Sequence, residues 1–247
     1  LSFIRRTYRQ WHRQEDLIHF QVVCKETDLD IGIRRERYSP ELVQWVEKLV
    51  RDVRGPLEEY VRRDPAFLKA HTPYQPLPGA PAIAVEMADA GRRAGVGPMA
   101  AVAGAVAGQV GKALCRRSRD VIVENGGDIF LRSACLRRIG IFAGQSAFTG
   151  RLALEIRPED TPLGICTSSG TVGHSLSYGC ADAVVVLSAS PALADAAATA
   201  AGNLVQSPDD VQKAAGLAAA IPGIAGVVVI CGDKLAAWGR VKLVPAG

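Results

Sequence analysis

Residues 120–132 read DVIVENGGDIFLR. Two short runs of β-branched and other apolar residues flank Asn125-Gly126-Gly127, and that tripeptide supplies the positive-φ residues a tight turn demands. The stretch predicts a strand, a turn and a second strand, hence an antiparallel hairpin. Residues 17–33, LIHFQVVCKETDLDIGI, predict another pair, with Ile18, Phe20 and Val22 on one face and a turn at Thr27-Asp28. Further short strands are expected at 138–142, 151–156, 164–167 and 183–187. The C-terminal strands are expected at 226–231, 235–238 and 241–244, with Gly232-Asp233-Lys234 as a hairpin turn.

Helices interrupt these hairpins. Ser39-Pro40 opens one, with Ser as N-cap and Pro at the first helical position. Its apolar stripe is Leu42, Val43, Val46, Leu49, Val50 and Val53, and Gly55-Pro56 is expected to break or bend it before 57–62 resumes. Residues 65–81 hold five prolines and read as a surface loop, a lid or a subunit contact. Residues 82–114 are helix-like, with a break at Gly95-Val96-Gly97-Pro98. Ser190-Pro191 begins a helix reaching about 205, and Ser207-Pro208 begins another. Adjacent hairpins with helices inserted in pairs are not a βαβ alternation. The expected class is α+β, a largely antiparallel sheet with helices packed on one face. One domain is expected over 1–247, with a hairpin, helix and Pro-rich loop (1–80) ahead of a motif-bearing core (81–247).

At 247 residues, 48% hydrophobic and 22% charged, the chain has the composition of a globular protein able to bury a sizeable core. Only 6% of residues are aromatic, which leaves few stacking platforms for bases, and a net charge of +4 is too modest to call for nucleic acid. Arg5, Arg6, Arg9 and Arg13 form a basic cluster, either a solvated end or an arm toward an anionic ligand or a second subunit. Cys24, Cys115, Cys135, Cys166, Cys180 and Cys231 form no CxxC pair, so zinc is not expected. They read as reduced and mostly buried, which with the lack of a transmembrane run or signal peptide suggests a cytoplasmic protein and no membrane partner.

Three places offer chemistry. Asp195 and Thr199 stand four apart, on one face of a helix. A carboxylate and a hydroxyl are hard ligands that suit Mg²⁺; an Asp serving the helix dipole and a Thr bonding back to a carbonyl have the same spacing. Asn125-Gly126-Gly127-Asp128 is a hairpin with a polar tip, or a glycine turn that lets a nucleotide approach backbone N–H groups. His174 stands in TSSGTVGHS, a loop of small residues and hydroxyls. It is an acid or base near neutral pH, or a histidine that bonds its own loop. No GxSxG elbow accompanies the serines, which argues against a serine hydrolase. Gly104, Gly108 and Gly111 put a flat groove on one helix, for close packing or for a phosphate.

Together these places resemble the ApbE superfamily, flavin transferases that move FMN from FAD onto a protein Thr or Ser. The family's glycine-turn motif is similar to Glu124-Asn125-Gly126-Gly127-Asp128, its TSG loop to Thr167-Ser168-Ser169-Gly170, its histidine to His174, and its Gly-Ala-x-Ala segment to Gly104-Ala105-Val106-Ala107. Its helix motif is similar to Leu193–Ala200, with Asp195 and Thr199 in place. The order along the chain agrees over about residues 97–205. The resemblance implies the ApbE-like variant of the T-fold, Mg²⁺ held by Asp195, Thr199 and the carbonyl of Ala105, and FAD as substrate or ligand. It implies His174 as catalytic base, with Asn125, Gly126, Gly127, Asp128, Thr167, Ser168, Ser169 and Gly170 around the cofactor. The implied partner is a small nucleotide-like ligand, and a homo-oligomer is left open.

Departures accompany the resemblance. Where the transferases carry an acid and a lysine in an Asp-Leu-Gly-Ala-Ile-Ala-Lys-Gly-like segment, this chain has Val102 and Gly108. The run after the histidine is Ser175-Leu176-Ser177-Tyr178, not Ile-Ile-Asp-Pro. Tyr8-Arg9 and Lys25-Glu26-Thr27-Asp28-Leu29 fit a shorter branch of the superfamily. The expectation is a Mg²⁺-dependent flavin- or nucleotide-binding enzyme; the alternative is a non-catalytic binder, or an enzyme on another substrate, built on the same scaffold.

Overall fold

A computed structural model describes residues 14–171 and 178–246. Strands β1 (Leu17–Cys24) and β2 (Thr27–Arg34) pair antiparallel from Leu17 opposite Arg34 to Cys24 opposite Thr27. Their turn is Lys25-Glu26, with Lys25 at φ 53°, and not the expected Thr27-Asp28. This register sends Leu29, Ile31 and Ile33 into the core, and a one-residue slip would turn all three away from it.

Helix α1 (Pro40–Arg63) starts as expected, the Ser39 hydroxyl accepting from Leu42 N–H at 3.2 Å. It does not end at Gly55-Pro56. Val46, Val50, Val53, Leu57 and Tyr60 form one buried stripe across the proline, and that burial offsets the lost backbone bond. Within the Pro-rich stretch, α2 (Pro65–Lys69) buries Phe67 between the edges of Tyr60 and Tyr74, at 5.2 and 6.0 Å. Phe67 therefore anchors the start of the expected surface loop in the core.

Helix α3 (Ala82–Ala94) ends on Gly95 in the left-handed region at φ 76°, and α4 (Val102–Leu114) follows at a sharp bend. The hairpin β3 (Val121–Asn125) and β4 (Asp128–Arg132) turns through Gly126 at φ 69° and Gly127 at φ 107°. Then come β5 (Arg137–Gly140), β6 (Leu152–Ile156), β7 (Leu163–Ser168), β8 (Ala183–Ser188), α5 (Pro191–Leu204), α6 (Val211–Ala219), β9 (Ile224–Cys231), β10 (Lys234–Gly239) and β11 (Leu243–Pro245).

Among the described residues, eight strands form one sheet in the order β1-β2-β3-β4-β7-β8-β9-β10, every neighbour antiparallel. The helices cover one face. Leu29, Val121, Val123 and Phe130 meet α1, α3 and α4, while Cys166, Val184, Val186, Val227 and Val229 meet α5 and α6. The other face carries a small sheet, β11-β6-β5, over Ile122, Leu131, Ile165, Val185 and Ile230. Burial from both sides explains why β8 reads AVVVLS without alternation. The architecture is the expected α+β antiparallel sheet. Among the described residues no single helix is long and apolar enough to cross a membrane, and α3 and α4, apolar in sum, bend by 103°.

All six cysteines are free, but only Cys166 and Cys231 are buried. Cys135 and Cys180 lie exposed in connections after β4 and β7, which corrects the expectation of a mostly buried set.

Candidate active site at the junction of two helices

The β3–β4 turn, the end of β7, the start of α4 and the first turns of α5 meet at one place. Asp128 opens β4 opposite Asn125 on one side and Cys166 of β7 on the other. Asp128 and Cys166 share the helix-facing side of the sheet. Asp195, in the second turn of α5, accepts from Gly104 N–H at 2.9 Å through Oδ2. Asn125 Nδ2 donates to the carbonyl of Ala103 at 3.1 Å. The turn and α5 are thus both tied to the start of α4. Glu124, fully buried, accepts from Gly127 N–H at 2.8 Å and closes the turn.

Atomic crowding explains the glycines. A Cβ on Gly104 would land on the Pro191 carbonyl oxygen and 2.8 Å from Asp195 Cβ. One on Gly108 would meet the Pro191 ring at 3.2 Å, one on Gly164 would meet Pro191 Cα at 2.5 Å, and one on Gly111 would strike the Phe130 ring. The groove on α4 is filled by protein, which decides for packing over an approaching phosphate.

The electrostatics are unbalanced. Burial pushes the Asp195 carboxyl up to about 7, with the amides of Gly104 and Ala103 pulling only partly the other way. Burial raises Asp128 well above the usual carboxylate range, and the nearby Asp195 charge adds to it; the Cys166 thiol and the Thr167 amide oppose weakly. Asp128 Oδ1 is buried without a hydrogen-bond partner. Cys166, which donates to the Pro191 carbonyl at 3.3 Å, is itself pushed far up by burial and by the two acids. Two carboxyls buried side by side and both shifted upward mark a candidate functional site.

The sequence matches the family model described as AbpE bacteria over residues 9–233. The chain belongs to this family. The UPF0280 protein of Methanocella arvoryzae is 42% identical over 224 residues, covering 90% of this chain and 89% of its own. That of Methanosphaerula palustris is 43% identical over 224 residues, covering 90% of each. Among solved structures, the flavinyl transferase ApbE of Pseudomonas stutzeri superposes with TM-score 0.53 at 15% identity, over 90% of this chain and 94% of that one. The flavin transferase ApbE of Vibrio cholerae gives 0.51 at 15%, over 90% and 96%. This likeness is one of fold, and it matches the ApbE-like fold expected from the motifs.

In this ApbE-family chain the expected site residues fall as follows. Asn125, Gly126, Gly127 and Asp128 form the turn beside Asp195. Thr199 lies on α5 one turn beyond Asp195. Ala105 is buried in the first turn of α4, next to the Gly104 amide that Asp195 holds. Ser168 reaches toward α5, where a Cβ on Gly202 would sit 3.2 Å from its hydroxyl. Thr167 points to the opposite side of β7 from Cys166 and Ser168, and offers its backbone, not its side chain, to Asp128. Ser169 turns into its own loop, accepting from Thr171 N–H at 3.1 Å, and Gly170 N–H bonds the Ala181 carbonyl at 2.9 Å. His174 and the arginines at 5, 6, 9 and 13 lie outside the described residues. Sequence reading missed Cys166 and Pro191 as site members. Their contacts join β7 to α5 and α4, and no local spacing announces them.

Proposed function

We propose that this chain is a Mg²⁺-dependent enzyme that binds the pyrophosphate of FAD at the α4–α5 junction and transfers FMN from it. The observation that carries the reading is the pair of buried carboxyls, Asp128 and Asp195, both raised and one with an unpartnered oxygen. Hard oxygen donors of this kind fit Mg²⁺. Asp195 and Thr199 would hold the ion with a main-chain oxygen from the start of α4, Ala105 by resemblance. A cation there supplies charge stabilisation to a bound pyrophosphate.

The chain's own residues do the rest. Asn125 fixes the start of α4 through Ala103, and Gly126-Gly127 keeps the turn free of side chains where a ligand approaches. Asp128 shapes the inner wall. His174 takes the proton of an acceptor hydroxyl as its oxygen bonds to the FMN phosphorus and AMP departs. The test pairs thermal unfolding with product analysis. With FAD at about 100 times its Kd, stability should rise by roughly 2.7 kcal/mol with Mg²⁺ and not with EDTA. AMP should appear when an acceptor is present.

A second reading, a binder or an enzyme on another substrate, is favoured by one observation. The transferases' lysine position is Gly108 here, and the Pro191 ring occupies the space a side chain would need. FAD binding with Mg²⁺ but no AMP release would select this reading. Asp195→Asn should abolish metal-dependent binding in either case; unchanged binding would remove the site from both.

A further inference from the structure

Two arginine runs far apart in sequence, Arg34-Arg35-Glu36-Arg37 and Arg116-Arg117-Ser118-Arg119, converge at the end of α4 remote from Asp195. They line a half-open concavity of about 210 Å³, with Arg34, Arg37, Arg116, Arg117 and Arg119 on its wall. Glu36 is the one carboxylate on its wall. We propose that this cavity binds a compact ligand carrying two or more phosphate groups.

The walls are built. Asp120 is buried behind them, bonded to Arg34 Nε, to Ser133 Oγ at 2.6 Å and to Arg137 Nη2 at 3.1 Å. Ser118 Oγ donates to the Asp120 carbonyl at 2.6 Å, which fixes the turn after the second run, and the Arg34–Asp120 bond ties that run to the first. Arg117 lies over the Trp45 ring at 4.1 Å, so its guanidinium is held by stacking. Among the described residues Arg37, Arg116, Arg117 and Arg119 form no ion pair, while Arg34 pairs with Asp120 and, at 3.9 Å, with Glu36.

The arginines lie where the dipole of α4 favours positive charge, but they are not needed to cap it. The last carbonyls of α4 are already used by the chain: Gly111 accepts from Cys115 N–H, and Leu114 accepts from both Arg117 and Ser118 N–H. The four guanidinia without a paired carboxylate, those of Arg37, Arg116, Arg117 and Arg119, repel one another, and an anion relieves that repulsion. Guanidinium binds phosphate oxygens two at a time, so the cluster suits a pair of linked phosphates. The concavity is small and local, which fits a compact anion and not an extended strand. The site is about 20 Å from the proposed metal site, the length of the 13-residue α4.

The test is calorimetric titration of the whole protein with inorganic pyrophosphate in EDTA at low salt, with orthophosphate and a single-stranded oligonucleotide as comparisons. Pyrophosphate is expected to bind, at least about tenfold tighter than orthophosphate, and to weaken at high salt. Arg116→Glu with Arg119→Glu, both exposed, should abolish binding while the ligand-free melting temperature stays put. Arg37→Ala is the milder check, expected to weaken binding severalfold. Asp195→Asn should bind as wild type, which separates this site from the proposed FAD site. No binding to wild type, equal binding to the double variant, or orthophosphate as good as pyrophosphate would each overturn the proposal. Tighter binding of the oligonucleotide, lost in the double variant, would overturn it in favour of an extended polyanion.

Discussion

Asp120 and Asp195 flank the two ends of α4, and they have opposite fates. Burial works to raise the Asp120 carboxyl, but hydrogen bonds from Ser133, the Ala134 amide, Arg34 and Arg137 outweigh it and hold it at about 2. Burial raises Asp195 to about 7 because only the backbone amides of Gly104 and Ala103 oppose it. The same side chain is a finished structural part at one end and is held only by two backbone amides at the other. Ionising a buried acid without a neighbouring counter-charge costs stability, which makes Asp195 a candidate functional group.

The largest effect should come from breaking the finished end. Asp120→Ala leaves Arg137, 3% exposed, without one of its two acids, and should cost about 3–5 kcal/mol in urea unfolding. Asp195→Asn in EDTA at pH 8 should be neutral or stabilising. Equal losses in the two variants would dissolve the contrast.

Acidity sharpens it next. In EDTA the folded Asp195 keeps its proton up to about pH 7, whereas an unfolded Asp loses it near the ordinary value of 3.8. Its contribution to stability is therefore present at pH 4 and lost as pH rises through 7, a change on the order of 2–4 kcal/mol. Asp120, lowered, acts the other way: its contribution is full above about pH 4 and is lost as pH falls toward 2. Melting curves of wild type and Asp195→Asn, subtracted across pH 4–8, report the first slope together with its effect on Asp128; a flat difference would refute it.

Magnesium should act at one end only. At about 100 times its Kd it should stabilise wild type by roughly 2.7 kcal/mol and flatten the pH slope, with no gain in Asp195→Asn. Smaller still is Gly104→Ala, whose new methyl meets Pro191 and Asp195; about 1–3 kcal/mol should be lost and the metal response weakened. Unaltered stability would mean that α4 and α5 are not locked as described.

Much of this was legible in the sequence, for physical reasons that can be named. Asn125-Gly126-Gly127 announces its hairpin because both glycines take positive φ. Lys25 takes positive φ too, and a lysine gives no such signal, so the β1–β2 turn was misplaced by two residues. Pro56 looked like a break because its cost is local, while the burial of Leu57 and Tyr60 that overrides it is tertiary. In the site, the spacing of Asp195 and Thr199 was visible, and so was the acid at the turn exit. Whether the glycines of α4 faced a ligand or protein was not visible, since the answer is Pro191, far away along the chain.

Pro191 has a consequence for how sequences of this family can change. It rests against Gly104, Gly108 and Gly164 at once, so a side chain gained at any one of them presses on the same residue. The contact at 108 is the loosest of the three, 3.2 Å to the ring, and whatever shift relieves it is passed on to Gly104 and Gly164. Changes at these three positions are therefore expected to be non-additive, because one proline is the part they share.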